Sequence, residues 1–192
     1  MQEIRFHGRG GQGVVIGSEV LAHAFFMEGK YVQAFPAFGV ERRGAPVTAF
    51  CRIDDKPIFL RNQIYRPDHV VVLDASMMAS VGIADGLKEK GSVLINTGGS
   101  PAACQKLFGN GFSVYRVDAA AIAVRHKLGS PANPIVNTAI CGAFARISAM
   151  VSIEAVEEAI DDYVPVKKEN NKDAAREAFE TVQRLKPDGK ER

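Results

Sequence analysis

At 192 residues the chain is long enough to bury a substantial core and is expected to form a single domain, 1–192. Its 46% hydrophobic and 24% charged residues are those of an ordinary globular protein. A net charge of +2 with no dense Lys/Arg run offers nucleic acid no phosphate track, and no apolar run approaches the ~18 residues of a bilayer span. No secretory pattern precedes Ile4-Arg5-Phe6, so a cytoplasmic chain without nucleic-acid or membrane partners is expected.

In chain order, residues 4–7 read as a strand and 14–28 as a helix closed by Gly29. Between them Gly8, Gly10 and Gly13 satisfy G-x-G-x-x-G, a spacing that lets backbone approach a phosphate at a helix N-terminus. Gly11 adds freedom to the turn. Arg9 offers it a charge and Gln12 an amide. A structural turn into a tightly packed helix is the competing explanation.

Residues 31–35 read as a second strand ending at Pro36. A dinucleotide site needs an acidic residue there to hold the ribose hydroxyls. Gln33 is the one polar side chain of that strand, and the nearest acid afterwards is Glu41. There is also no G-x-x-x-x-G-K-[ST], which excludes a nucleoside-triphosphate P-loop. The following stretch, Phe38-Gly39-Val40-Glu41-Arg42-Arg43-Gly44, joins turn formers to an arginine pair that can hold a carboxylate or phosphate or cross an interface.

Residues 48–53 and 57–60 flank Asp54-Asp55-Lys56 and predict an antiparallel hairpin. The run 70–73 is a parallel-type buried strand ending at Asp74, with Ser76 as cap of a helix reaching about Lys90. Further strands are expected over 93–96 and 113–117, the first ending at Asn96-Thr97. Helices are expected over 119–128, 134–150, 153–163 and 172–185, with Asn133 and Pro134 starting the second of these. This alternation predicts an α/β fold: a Rossmann-like open, mostly parallel sheet with helices on both faces and an antiparallel hairpin extension.

Cys51, Cys104 and Cys141 lie far apart with no C-x-x-C pair, as core residues in a reducing compartment would. His7, His23, His69 and His126 show no ligand spacing, so no metal site is expected; His7 stands out for its place beside the glycine turn. No side chain is a convincing nucleophile or general base, and no catalytic residue is assigned.

With Gly8-Arg9-Gly10-Gly11-Gln12-Gly13, Tyr31-Val32-Gln33-Ala34-Phe35-Pro36 and Gly39-Val40-Glu41-Arg42-Arg43-Gly44-Ala45-Pro46, the sequence resembles the gamma subunit of 2-oxoacid:ferredoxin oxidoreductases, the pyruvate synthase group. Asp68-His69-Val70-Val71-Val72-Leu73-Asp74 with Ser76, Asn96-Thr97 and Asn133-Pro134-Ile135-Val136-Asn137 extend the resemblance over most of the chain. The resemblance implies a complex that converts a 2-oxoacid, pyruvate or a branched-chain one, and coenzyme A to acyl-CoA and carbon dioxide. Electrons would pass to ferredoxin or flavodoxin. Thiamine diphosphate and iron–sulfur clusters would sit on companion alpha, beta and delta-type subunits, and this chain would hold no cofactor by itself and be inactive alone. Gly8, Arg9, Gly10, Gly11, Gln12 and Gly13 with Glu41, Arg42 and Arg43 are then expected to form an interface or coenzyme A-facing edge. The other readings are a stand-alone dinucleotide-dependent oxidoreductase, a nucleotide-sensing or scaffold module, and a gamma-type subunit for 2-oxoglutarate or indolepyruvate.

Overall fold

The computed structural model describes residues 1–37, 44–79, 82–100, 108 and 111–185. Glu41, Arg42, Arg43 and Cys104 lie outside the described residues. Seven strands build the main sheet: β1 (Gln2–Arg9), β2 (Tyr31–Pro36), β3 (Pro46–Asp54), β4 (His69–Val72), β5 (Ser92–Asn96), β6 (Ser113–Val117) and β9 (Gln183–Arg184). Their order across it is β2-β3-β1-β4-β5-β6-β9. Strands β1, β4, β5 and β6 are parallel neighbours. β3 runs against both β1 and β2, so β2 points the same way as the parallel set, and β9 runs against β6. The sheet is thus mixed and mostly parallel, as expected of the α/β class. A separate two-residue ladder joins β7 (Gly129–Ser130) to β8 (Asn133–Pro134).

Apolar residues alternate between two cores because successive strand residues face opposite sides. Ile4, Phe6, Val71, Leu73 and Leu94 face one core. Packed on that side are α1 (Val14–Met27), α2 (Ala119–Arg125), α3 (Asn137–Ser148), α4 (Ile153–Tyr163) and α5 (Lys168–Thr181). Helix α3 is buried from Asn137 through Ala145, and its Gly142 admits α5 at close range. A Cβ at Gly142 would stand 2.0 Å from the Ala175 carbonyl oxygen. Val70, Val72, Val93, Ile95 and Val114 face the second, smaller core, covered by Met77 of a 3-10 helix (Ala75–Ala79) and by Ile83 and Leu87.

Four expected elements take another form, each for a visible reason. Residues 57–60 form no strand, because β3 already has β1 on one side and β2 on the other. Their neighbourhood is pinned by side chains: Gln33 Nε2 donates to the Ile58 carbonyl at 3.2 Å and Arg52 Nη2 to that of Asn62 at 2.8 Å. The helix expected after Asp74 stops as the short 3-10 turn, and the buried Arg5 guanidinium takes the carbonyls of Ile83 and Asp85 at 2.8 and 2.7 Å. Ser76 is not the cap; its backbone N–H donates to Asp74 Oδ1 at 2.9 Å. Asn133 and Pro134 pair with β7, and α3 begins only at Asn137. The last helix runs earlier than expected and leaves Gln183 and Arg184 to pair with β6.

Candidate functional site

The site grows from the carboxyl end of β1, at the edge where open α/β sheets place their ligands. Gly8 lets the chain pass between its neighbours: a Cβ there would meet Val14 Cγ2 at 2.6 Å and Leu73 Cβ at 3.1 Å. Gly11 and Gly13 adopt φ of 96° and 74°, the left-handed region that glycine enters without strain. Gly13 is the N-cap of α1 and supplies no side-chain hydrogen bond, so the first-turn amides point outward. A Cβ at Gly13 would stand 2.5 Å from Asn137 Nδ2, and one at Gly17 3.3 Å from Asn137 Cβ. These glycines seat the start of α1 directly against the start of α3.

Between the two helix starts lies a cleft of about 340 Å³, lined by Arg9, Gly10, Gly11, Gly13, Val14, Val15, Ile16, Val47, Ile135 and Asn137. Neither helix has a side-chain cap or an acid in its first turn. Two positive helix ends therefore face one cavity. Asn137 is 4% exposed. Its Oδ1 accepts from the Thr138 N–H at 3.0 Å, while Nδ2 has no hydrogen-bond partner among the described residues. That leaves an amide donor beside the glycine loop, suited to an oxyanion or carbonyl.

Arg9 and Gln12 are placed differently from Asn137. Arg9 spends its guanidinium on Asp74 Oδ2 at 3.0 Å, the Gly44 carbonyl at 3.1 Å and Ser76 Oγ at 3.0 Å. Gln12 folds back, its Oε1 accepting from the Arg9 N–H at 2.7 Å and its Nε2 donating to Asp74 Oδ2 at 3.3 Å. Burial raises the Asp74 pKa, but hydrogen bonds from Ser76, the Arg9 charge and the Gln12 amide outweigh it and hold the carboxyl below its ordinary value. Asp74 is the hub of this cluster. As a lone acid at a strand end it carries no sequence signal beyond a cap, and the arginine that it holds is far away in the chain.

The glycine turn is also bound to the β2–β3 connection. Gly10 N–H donates to the Ala45 carbonyl at 2.9 Å, and Gly44 N–H returns a bond to Gly10 at 3.0 Å. Gly8, Arg9, Gly10, Gly11, Gln12 and Gly13 thus gather at one edge together with Gly44 and Ala45, which follow Glu41, Arg42 and Arg43 in the chain. Asn96 ties two strand ends there to α2, donating to the Leu73 carbonyl at 2.8 Å and accepting from the Ala120 N–H at 3.1 Å. Asp118 caps α2 through the Ala121 N–H.

His7 is buried under this edge. Its Nε2 accepts from Arg5 Nε at 3.0 Å, which puts the ring proton on Nδ1, a buried donor without a partner among the described residues. Burial, with the Arg5 charge adding to it, lowers its pKa to about 4, so the ring is neutral at ordinary pH. Cys51 and Cys141 are buried free thiols, and burial raises both, Cys141 to about 12, with the neighbouring Cys141 adding to the rise at Cys51. Among the described residues no group of three or more His, Cys, Asp or Glu is arranged to hold a metal ion. No helix there is long and apolar enough to cross a membrane.

The geometry also bears on the dinucleotide reading. In a standard nucleotide-binding unit the second strand lies beside the first. Here β3 intervenes, so the end of β2 stands two strand spacings, ~9.6 Å, from β1. The position of the missing ribose acid is therefore displaced as well as unfilled.

Comparison with known proteins agrees along the chain. Residues 3–181 match the family model described as pyruvate ferredoxin/flavodoxin oxidoreductase. The pyruvate/ketoisovalerate oxidoreductases common subunit gamma of Pyrococcus abyssi is 55% identical, covering 95% of this chain and 98% of the relative. Pyruvate synthase subunit PorC of Methanocaldococcus jannaschii is 52% identical, with 93% and 96% covered. A crystal structure of the pyruvate oxidoreductase subunit PORC of Thermotoga maritima superposes with a TM-score of 0.83 at 38% identity, covering 96% of this chain and 98% of that one. The chain therefore belongs to the pyruvate ferredoxin/flavodoxin oxidoreductase family.

Proposed function

We propose that the chain serves as the gamma subunit of a cytoplasmic multi-subunit oxidoreductase that converts pyruvate or a branched-chain 2-oxoacid and coenzyme A to acyl-CoA and carbon dioxide. The observation that carries this reading is the match at 55% identity, over 95% of this chain, to a common gamma subunit. Alpha, beta and delta-type companions hold thiamine diphosphate and the iron–sulfur clusters, and ferredoxin or flavodoxin takes the electrons. Thiamine diphosphate supplies the carbanion chemistry of decarboxylation, and the clusters carry electrons away. This chain's residues bind and orient.

The glycine-loop cleft faces the coenzyme A route in this reading. Coenzyme A carries anionic phosphates, and the cleft offers two helix N-termini and the free Asn137 amide. Arg9 and Gln12 act through Asp74 to hold the loop, and Glu41, Arg42 and Arg43, which precede Gly44 in the chain, are assigned to the same interface.

Purification of the native complex with identification of the co-purifying chains tests the subunit role. Isolation without companion subunits would refute it. In the purified complex, Asn137→Ala should raise the Michaelis constant for coenzyme A about tenfold, the loss of ~1.4 kcal/mol. Arg42→Ala with Arg43→Ala should raise it or weaken assembly. Values unchanged in all these variants would overturn the assignment of this edge.

A further inference from the structure

The two edges of the sheet are finished in different ways. At one end β9 is two residues long and carries Arg184, a short and charged edge of the kind that discourages further pairing. At the other end β2 runs for six residues, Tyr-Val-Gln-Ala-Phe-Pro, with no charge. It pairs with β3 alone, so its outer backbone row has no strand partner among the described residues. Such an edge invites a further strand unless something covers it.

Exposed apolar side chains flank β2 on both faces. On the helix side Val32 and Ala34 form the floor of a cavity of about 400 Å³ walled by His23, Phe26 and Tyr163. Phe26 is 59% exposed and Tyr163 44%. On the opposite side the segment bonded to Gln33 presents Phe59, 87% exposed, and Leu60. Large apolar side chains left in water on both sides of an open strand mark a contact surface.

Charge identifies the occupant. Glu19 lines the helix-side cavity and makes no ion pair among the described residues. Asp162 is bonded to the lining His23, Nε2 to Oδ2 at 2.8 Å, with exposed Glu158 one turn earlier on α4. Among the described residues no Lys or Arg lines the cavity. Aromatic walls with carboxylates and no competing cation suit an arginine or lysine side chain, by ion pairing and by cation–π contact. A second copy of this chain pairing here would bring the two acidic rims together.

We infer that β2 is the docking edge for an extended segment of a companion subunit, which adds one strand to the sheet. Its side chains alternate, because a strand points successive residues to opposite faces. A basic residue enters the cavity between Phe26 and Tyr163 beside Glu19. The apolar residue next to it packs on Phe59 and Leu60. The inference rests on the gamma-subunit reading.

The test compares hydrogen exchange in the free full-length chain and in the assembled complex, and measures assembly of variants with the purified companion subunits. The outer amides of β2 should exchange at least tenfold more slowly in the complex. Glu19→Lys and Phe26→Ala, both at the surface and clear of the glycine loop, should each weaken assembly about tenfold. Equal β2 exchange in the free chain and a complete complex would overturn the docking edge while leaving the subunit role intact. So would a free chain that is already a dimer through β2 and becomes monomeric with Glu19→Lys. A wild-type chain that joins no companion would instead refute the gamma-subunit role, and the docking edge with it.

Discussion

Gly13 shows how closely the site is built around single atoms. Its φ of 74° resists a side chain, and so does Asn137 Nδ2, which would lie 2.5 Å from any Cβ placed there. Gly13→Ala should therefore destabilise the fold by about 1–3 kcal/mol, lowering the thermal midpoint by several degrees in calorimetry. His7 makes a second prediction, on pH. Its folded pKa of about 4 lies below the unfolded 6.5, so between these values the unfolded chain binds more protons. The contribution is fully present above about pH 6.5, declines as pH falls, and is lost below about 4, roughly 3 kcal/mol in all. Urea titrations across that range should show His7→Asn with a flatter slope than the wild type. His69 is lowered in the same direction, chiefly by burial, so part of the slope should remain.

At the scale of elements, two buried arginines decide what the second face of the sheet looks like. Arg5 holds the segment 83–85 and Arg52 the segment 62–63, each through backbone carbonyls that would otherwise lack partners. Arg52 is also paired with Glu3 at 3.0 Å, its side chain 1% exposed against 13% for the carboxylate. Arg52→Met should cost about 3 kcal/mol in urea unfolding, since it leaves Glu3 only the longer pair to Lys88 at 3.6 Å and removes the donor to the loop carbonyls. Limited proteolysis within 57–66 should quicken in parallel. Arg52→Lys should recover only part of the stability, because an ammonium cannot span Glu3 and the Asn62 carbonyl as the guanidinium fork does. This clamp also explains why residues 57–60 look like a strand but are not one. Their apolar character serves the exposed edge of the molecule, and the ladder positions beside β3 are taken.

For the whole molecule, stability should concentrate where strands are covered on both faces. Native-state hydrogen exchange should be slowest in β4 and β5, whose residues Val70, Val71, Val93 and Leu94 are fully buried, and fastest at β9 and in uncomplexed β2. A uniform rate across the sheet would contradict that gradient. Sequence alone determined the alternation of strands and helices, the glycine turn at a strand–helix junction, the buried run 70–73 and the family, because each is written in local spacing or in contiguous motifs. It also placed α4 residue for residue, where Ser152 caps a strongly amphipathic stretch. Tertiary structure decided the rest. It put β3 between β1 and β2, turned Arg9 and Gln12 onto Asp74, and brought Asn137 against Gly13 across more than half of the chain. Those contacts depend on strand order and helix approach, which pair residues remote in sequence and leave no periodic or spacing signal in the chain itself.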